Sequence, residues 1–189
     1  RYIENYILTL QDLAQAGINV VCYNFMPVFD WTRTELAKTL PDGSQVLAYD
    51  ARILRDLTPE KMAAKMQQDA KGVMLTGWEK ERLQSLQLLF DKYKHIDEDA
   101  LFANLGYFLR AIIPLAETCG IKMAIHPDDP PWSVFGLPRI TTCQANLQRI
   151  VDLVDSPSNG LTLCSGSLGA NPAPPIPPTI RPFGNQDLL

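Results

Sequence analysis

The chain has 189 residues, 46% hydrophobic and 20% charged, the size and composition of one globular domain or part of one. Lys and Arg number 17 against 21 Asp and Glu, a net charge of −4 with no basic block, which excludes nucleic acid as an expected partner. No unbroken apolar run approaches the roughly 18 residues of a membrane span, and four cysteines without a CxxC pair or a signal-like opening point to a reducing cytoplasm.

The chain opens without Met in an amphipathic pattern that sets Ile3, Ile7, Leu10, Leu13 and Ala14 on one helical face, and this reads as the interior of a longer protein. Gly17 should stop that helix, and the apolar run Ile18 to Phe25 predicts a strand buried on both faces, as in a parallel sheet. Residues 26 to 50 read as loop rather than core, with a turn at Pro41-Asp42-Gly43-Ser44. A helical excursion at about 40–95 follows, with one helix opening at Thr58-Pro59-Glu60 and another from Glu79 to Tyr93 carrying Leu83, Leu86, Leu89 and Phe90.

Residues 98 to 118 give the strongest helical signal, with Leu101, Leu105, Phe108, Ile112 and Leu115 on one stripe, a kink expected at Pro114 and a stop at Gly120. Strand Ile121 to Ile125, helix Gln144 to Val154 and strand Leu161 to Cys164 then form a parallel unit with a right-handed crossover. Gly160 and Gly166 are expected at turn positions of positive φ. The tail 171–189 holds six of the 15 prolines and is not expected to form a regular layer. His126 and Cys164 lie 38 residues apart, against roughly 31 per unit of an eightfold barrel. A β/α barrel and an open doubly wound sheet both fit.

Polar residues cluster just after the three strands: Asn24, then Asp30-Trp31-Thr32-Arg33; His126, then Pro127-Asp128-Asp129-Pro130-Pro131; and Cys164-Ser165-Gly166-Ser167. In parallel α/β proteins that edge is where sites are built. His126 is either a structural histidine or a metal ligand or general base, and Cys164 either a small buried hydrophobe or a thiolate ligand. Together they offer one nitrogen and one sulfur to a single divalent cation, too few for a complete site. Cys22 and Cys119 read as core or helix-end residues and Cys143 as a helix start. Trp31, Arg33 and Arg139 are either packing and surface residues or the lining of a sugar-sized pocket, with Arg33 suited to a carboxylate. Asp128 is either a solvated turn residue or a ligand or acceptor.

The stretches Val21 to Thr34, Met123 to Pro131 and Asn159 to Ser167 resemble the signature segments of the mannonate dehydratases, and the resemblance runs on through Leu40 to Ser44 and Ala111 to Pro114. It implies a β/α barrel of the xylose isomerase-like type that converts D-mannonate to 2-keto-3-deoxy-D-gluconate with Mn(II) or Fe(II). The family's metal is held by two His, one Cys and one Asp. His126 and Cys164 match two of these, and the others are expected outside residues 1–189. Asn24, Trp31, Arg33, Asp128, Arg139 and Ser167 are the expected substrate contacts, in a cytoplasmic homo-oligomer that binds neither membrane nor nucleic acid. Thr76 stands where the family usually has proline. A related sugar isomerase or epimerase, or an inactive piece of the barrel, is the alternative.

Overall fold

The structure is a computed structural model and describes residues 1–70, 85–171 and 175–189. Thr76 and the first part of the helix expected from Glu79, Leu83 included, lie outside the described residues. In chain order the elements are α1 (Tyr2–Gln15), β1 (Val20–Tyr23), β2 (Glu35–Thr39), β3 (Gln45–Ala48), α2 (Ala51–Arg55), α3 (Pro59–Asp69), α4 (Leu86–Tyr93), α5 (Glu98–Thr118), β4 (Lys122–Ile125), α6 (Gln144–Val151), β5 (Asn159–Leu161), α7 (Ser165–Leu168) and α8 (Ile176–Gly184). They fall into two compact units, the first Arg1–Phe25, Ile96–Ser133 and Pro138–Leu189, the second Met26–His95 and Val134–Leu137.

The first unit is a three-stranded parallel sheet in the order β1-β4-β5, with Tyr23 opposite Ile125 and Ile125 opposite Leu161. Two helices hand the chain directly into strands through the same C-terminal device. Gly17 and Gly120 adopt φ of 77° and 68°, and the next residues, Ile18 and Ile121, donate back to Leu13 and Ala116. These paired bonds satisfy the last helical carbonyls, and the positive φ is one that glycine adopts without a Cβ clash.

Helix α5 matches its sequence stripe, burying Leu101, Leu105 and Ile112, and it continues past Pro114 to Thr118. By length and composition it is apolar enough to cross a membrane, yet its buried side packs on β4 and α1. Met123 and Ile125, both 0% exposed, form the helix-facing side of the sheet, and the Tyr23 ring lies 6.1 Å from Phe108 of α5.

The second unit carries its own core of Val28, Phe29, Met62, Ala63, Met66, Leu86 and Leu137. Its hairpin β2–β3 is antiparallel, pairing Thr39 with Gln45 around the expected turn. Residues 26 to 50 therefore contain two strands and two core residues, correcting the loop reading. Their strands are short and largely exposed, and their apolar residues fall side by side (Leu36-Ala37, Val46-Leu47-Ala48), so they lack the apolar alternation that reveals a half-buried strand. Thr58 caps α3, its hydroxyl accepting from Lys61 N–H at 3.3 Å.

Other corrections concern the first unit. Strand β1 is not buried on both faces, because β4 is its only paired neighbour among the described residues and Val20 stays 56% exposed. For the same reason Cys22 is exposed and not core. Strand β5 ends at Leu161, so Cys164 is the N-cap of α7 instead of a strand residue. Residues 176–184 are helical despite their prolines, because Pro177 and Pro178 occupy the first turn, where no intrahelical N–H bond is needed. Gly160 and Gly166 do not have positive φ; at Gly160 a Cβ would come within 3.0 Å of the Leu188 carbonyl.

Candidate functional site

The three parallel strands end in register, and the ladder runs one residue beyond them. His126 N–H donates to Tyr23 O and Thr162 N–H to Ile125 O, each at 2.8 Å. Strand side chains alternate between faces, so with Met123 and Ile125 toward the helices, Cys22, Ala124 and Thr162 occupy the opposite face. His126, held in the ladder one residue past β4, continues this alternation to the same side at the C-terminal edge of the sheet, while Asn24 directly follows β1 and Cys164 caps α7 three residues past β5. Asn24 is exposed, and His126 and Cys164 are half-buried.

This face is concave. Cys22 Sγ and Thr162 Oγ1 lie 3.3 Å apart although β4 runs between their strands. In a flat sheet those strands are about 9.5 Å apart, too far for two such short side chains to touch. The sheet must curl over the small Ala124 for them to meet.

His126 Nδ1 is 2.7 Å from the Pro127 carbonyl. A carbonyl oxygen only accepts, so Nδ1 carries the hydrogen and Nε2 keeps a lone pair, the form in which imidazole binds a metal. Cys164 Sγ lies 3.3 Å from Ser167 Oγ, within hydrogen-bond reach, with Ser167 only 2% exposed in the first turn after it. A nitrogen donor just past β4 and a sulfur donor at the N-cap of α7 suit a borderline-soft divalent cation. Among the described residues no group of three or more His, Cys, Asp and Glu converges to hold one.

Asp128 and Arg139 sit below this edge, 0% and 5% exposed, with Oδ1 and Nη1 3.9 Å apart. Asp128 N–H donates to Thr141 O at 2.9 Å, and Thr141 N–H donates to Asp128 Oδ2 at 2.8 Å. Burial pushes the Asp128 carboxyl up to about 6, against the pull of the Arg139 guanidinium and of the backbone N–H donors. Trp31 and Arg33 belong to the second unit, where the guanidinium lies 5.9 Å from the Trp31 ring centroid and Nη1 donates to Thr32 O at 2.9 Å.

The family model of D-mannonate dehydratase (UxuA) matches residues 1–188. The chain belongs to this family. It is similar to mannonate dehydratase of Thermotoga maritima, 55% identical over 189 residues, covering 100% of this chain and 52% of that protein. It is 58% identical to mannonate dehydratase of Geobacillus thermodenitrificans over 183 residues, 97% of this chain and 49% of that protein. The crystal structure of mannonate dehydratase from Streptococcus suis serotype 2 matches with a TM-score of 0.84 at 40% identity, covering 99% of this chain and 48% of that one. The chain thus spans about half the length of the mannonate dehydratases it matches.

Within this mannonate dehydratase family chain, the residues the sequence did not single out are Thr141 and Thr162. A threonine outside any motif carries no signal of its own. Thr141 becomes visible only through the 13-residue return of the chain onto Asp128.

Proposed function

We propose that the protein carrying this chain removes water from D-mannonate to give 2-keto-3-deoxy-D-gluconate, with Mn(II) or Fe(II) as its metal. The observation that carries this reading is the family match over residues 1–188, a span that includes His126 and Cys164. The contact of Cys22 with Thr162 across β4 supports the finer fold, a β/α barrel of the xylose isomerase-like type in which this sheet would be part of the wall.

The residues present fit such a metal in donor chemistry, with His126 Nε2 and Cys164 Sγ holding it and further ligands lying in the rest of a longer protein. When bound, a divalent cation stabilises the charge that grows on a sugar acid as the C2 proton leaves and the C3 hydroxyl departs. Arg33 matches the two oxygens of the substrate carboxylate, Trp31 offers an apolar face to the sugar carbons, and Asn24 pairs with a hydroxyl. Ser167, 2% exposed, lies against Cys164 Sγ and steadies it, and is not itself a substrate contact. Asp128 and Arg139, closed off from solvent, act through the loop they anchor.

The test uses the full-length protein, chelated and then reconstituted. Keto-acid release from D-mannonate is expected only with Mn(II) or Fe(II); equal turnover after exhaustive chelation would sink the metal reading. An isomerised sugar acid in place of a keto acid would favour an isomerase. His126→Gln and Cys164→Ser are each expected to weaken Mn(II) binding by more than the roughly 10–100-fold typical of residues behind the ligands.

A further inference from the structure

The Pro127 carbonyl that receives the His126 Nδ1 hydrogen and the Asp128 N–H that donates to Thr141 O belong to one peptide group. That group is planar, so fixing its N–H fixes the direction of its carbonyl. The N–H is held at 2.9 Å, and the Asp128 carboxylate closes a second bond to the same residue by accepting Thr141 N–H at 2.8 Å. Arg139 lies beside the other carboxylate oxygen, and Asp128, Arg139 and Thr141 are all buried, so water cannot substitute for these contacts.

We infer that the pair of hydrogen bonds between Asp128 and Thr141 is a clasp that fixes the tautomer and aim of His126, which makes Asp128 a positioning residue and not a substrate contact. The inference rests on the reading of His126 as a metal ligand. Metal-binding histidines depend on the partner of their second ring nitrogen, and here that partner is a carbonyl whose own orientation is set two bonds further back. Ala in place of Asp128 removes the acceptor for Thr141 N–H and leaves the single backbone bond from Asp128 N–H to Thr141 O to hold the peptide plane. The Pro127 carbonyl is then held less firmly, and with it the hydrogen position of the imidazole, even though no ligand has changed.

The experiment takes the full-length protein with Asp128→Ala and Asp128→Asn and reads two quantities. Mn(II) affinity comes from the free-ion paramagnetic resonance signal, and the His126 tautomer from nitrogen-15 histidine spectra of metal-free protein, assigned by the loss of signal in His126→Gln. Asp128→Ala should weaken Mn(II) binding about 10–100-fold and mix the tautomers, while Asp128→Asn, which keeps an acceptor, should lose less than about tenfold. If Asp128→Ala alone does not fold, adding Arg139→Met removes the buried guanidinium that faced the carboxylate. Unchanged tautomer and unchanged Mn(II) affinity, whether or not the melting temperature falls, would overturn the clasp. A raised KM for mannonate with unchanged Mn(II) affinity would return Asp128 to the substrate. Unchanged Mn(II) affinity in His126→Gln would instead refute the ligand reading, and the tautomer spectra would still decide the clasp.

Discussion

Val28 shows how a single residue can hold a conformation that its chemistry opposes. It is a β-branched residue at φ 61°, 4% exposed within the core of the second unit, and the bond from Phe29 N–H to Pro27 O at 2.7 Å closes a three-residue turn around it. That turn is strained for any residue with a Cβ. Removing its two methyl groups costs burial, whereas removing the Cβ as well releases the strain. Val28→Ala is therefore expected to cost about 1–3 kcal/mol, and Val28→Gly to be more stable than Val28→Ala by about 1 kcal/mol, reversing the usual order. Urea unfolding of both variants measures it, and the opposite order would show that the backbone is relaxed there. Nothing in the Met-Pro-Val-Phe sequence signals this turn, because valine favours extended backbone. His126 and Cys164 stand out in the sequence for the opposite reason, each being a chemically distinctive side chain at the end of an apolar run, and their role as ligands belongs to the proposed function. The burial of Asp128 was not legible, since its partners return from 11 and 13 residues downstream.

Elements were legible where one face is apolar and the ends carry stop signals, as in α1, α5 and the parallel pair β4 and β5. Boundaries shifted where a side chain serves a neighbouring element. Asn159 opens β5, and its amide donates to the carbonyls of Ile150, Val151 and Val154 at 3.2, 3.2 and 3.1 Å, closing the C-terminal end of α6. A polar residue at the head of an apolar run reads as turn, which is why the strand was expected to begin later. With Asn159 0% exposed, Asn159→Ala leaves buried carbonyls without a donor and is expected to cost about 2–3 kcal/mol. Asn159→Asp should cost at least as much, because a carboxylate turns acceptors toward acceptors. Thermal or urea melts of both variants test this; a loss below about 0.5 kcal/mol would mean that water caps α6 equally well.

At the scale of the whole chain, the division of labour between sheet faces carries the argument. The helix-facing side is covered, while the concave side keeps Val20 56% exposed and Cys22 open, and β1 has one paired edge among the described residues. Apolar strand surface and unpaired backbone donors of this kind promote association between chains. The proposed metal chemistry points the same way, since on that reading His126 and Cys164 would supply two protein ligands where catalytic sites of this kind use three or more. Residues 1–189 expressed alone are therefore expected to self-associate and to leave D-mannonate unconverted with Mn(II) present, whereas the proposed function expects turnover from the longer protein. Point substitutions on the concave face cannot restore activity, because what they change is solubility and not the ligand count. Sedimentation velocity and the keto-acid assay, run on both proteins under the same conditions, separate the two effects. A monomeric, active product from residues 1–189 would mean that the three strands described here already enclose a sufficient site.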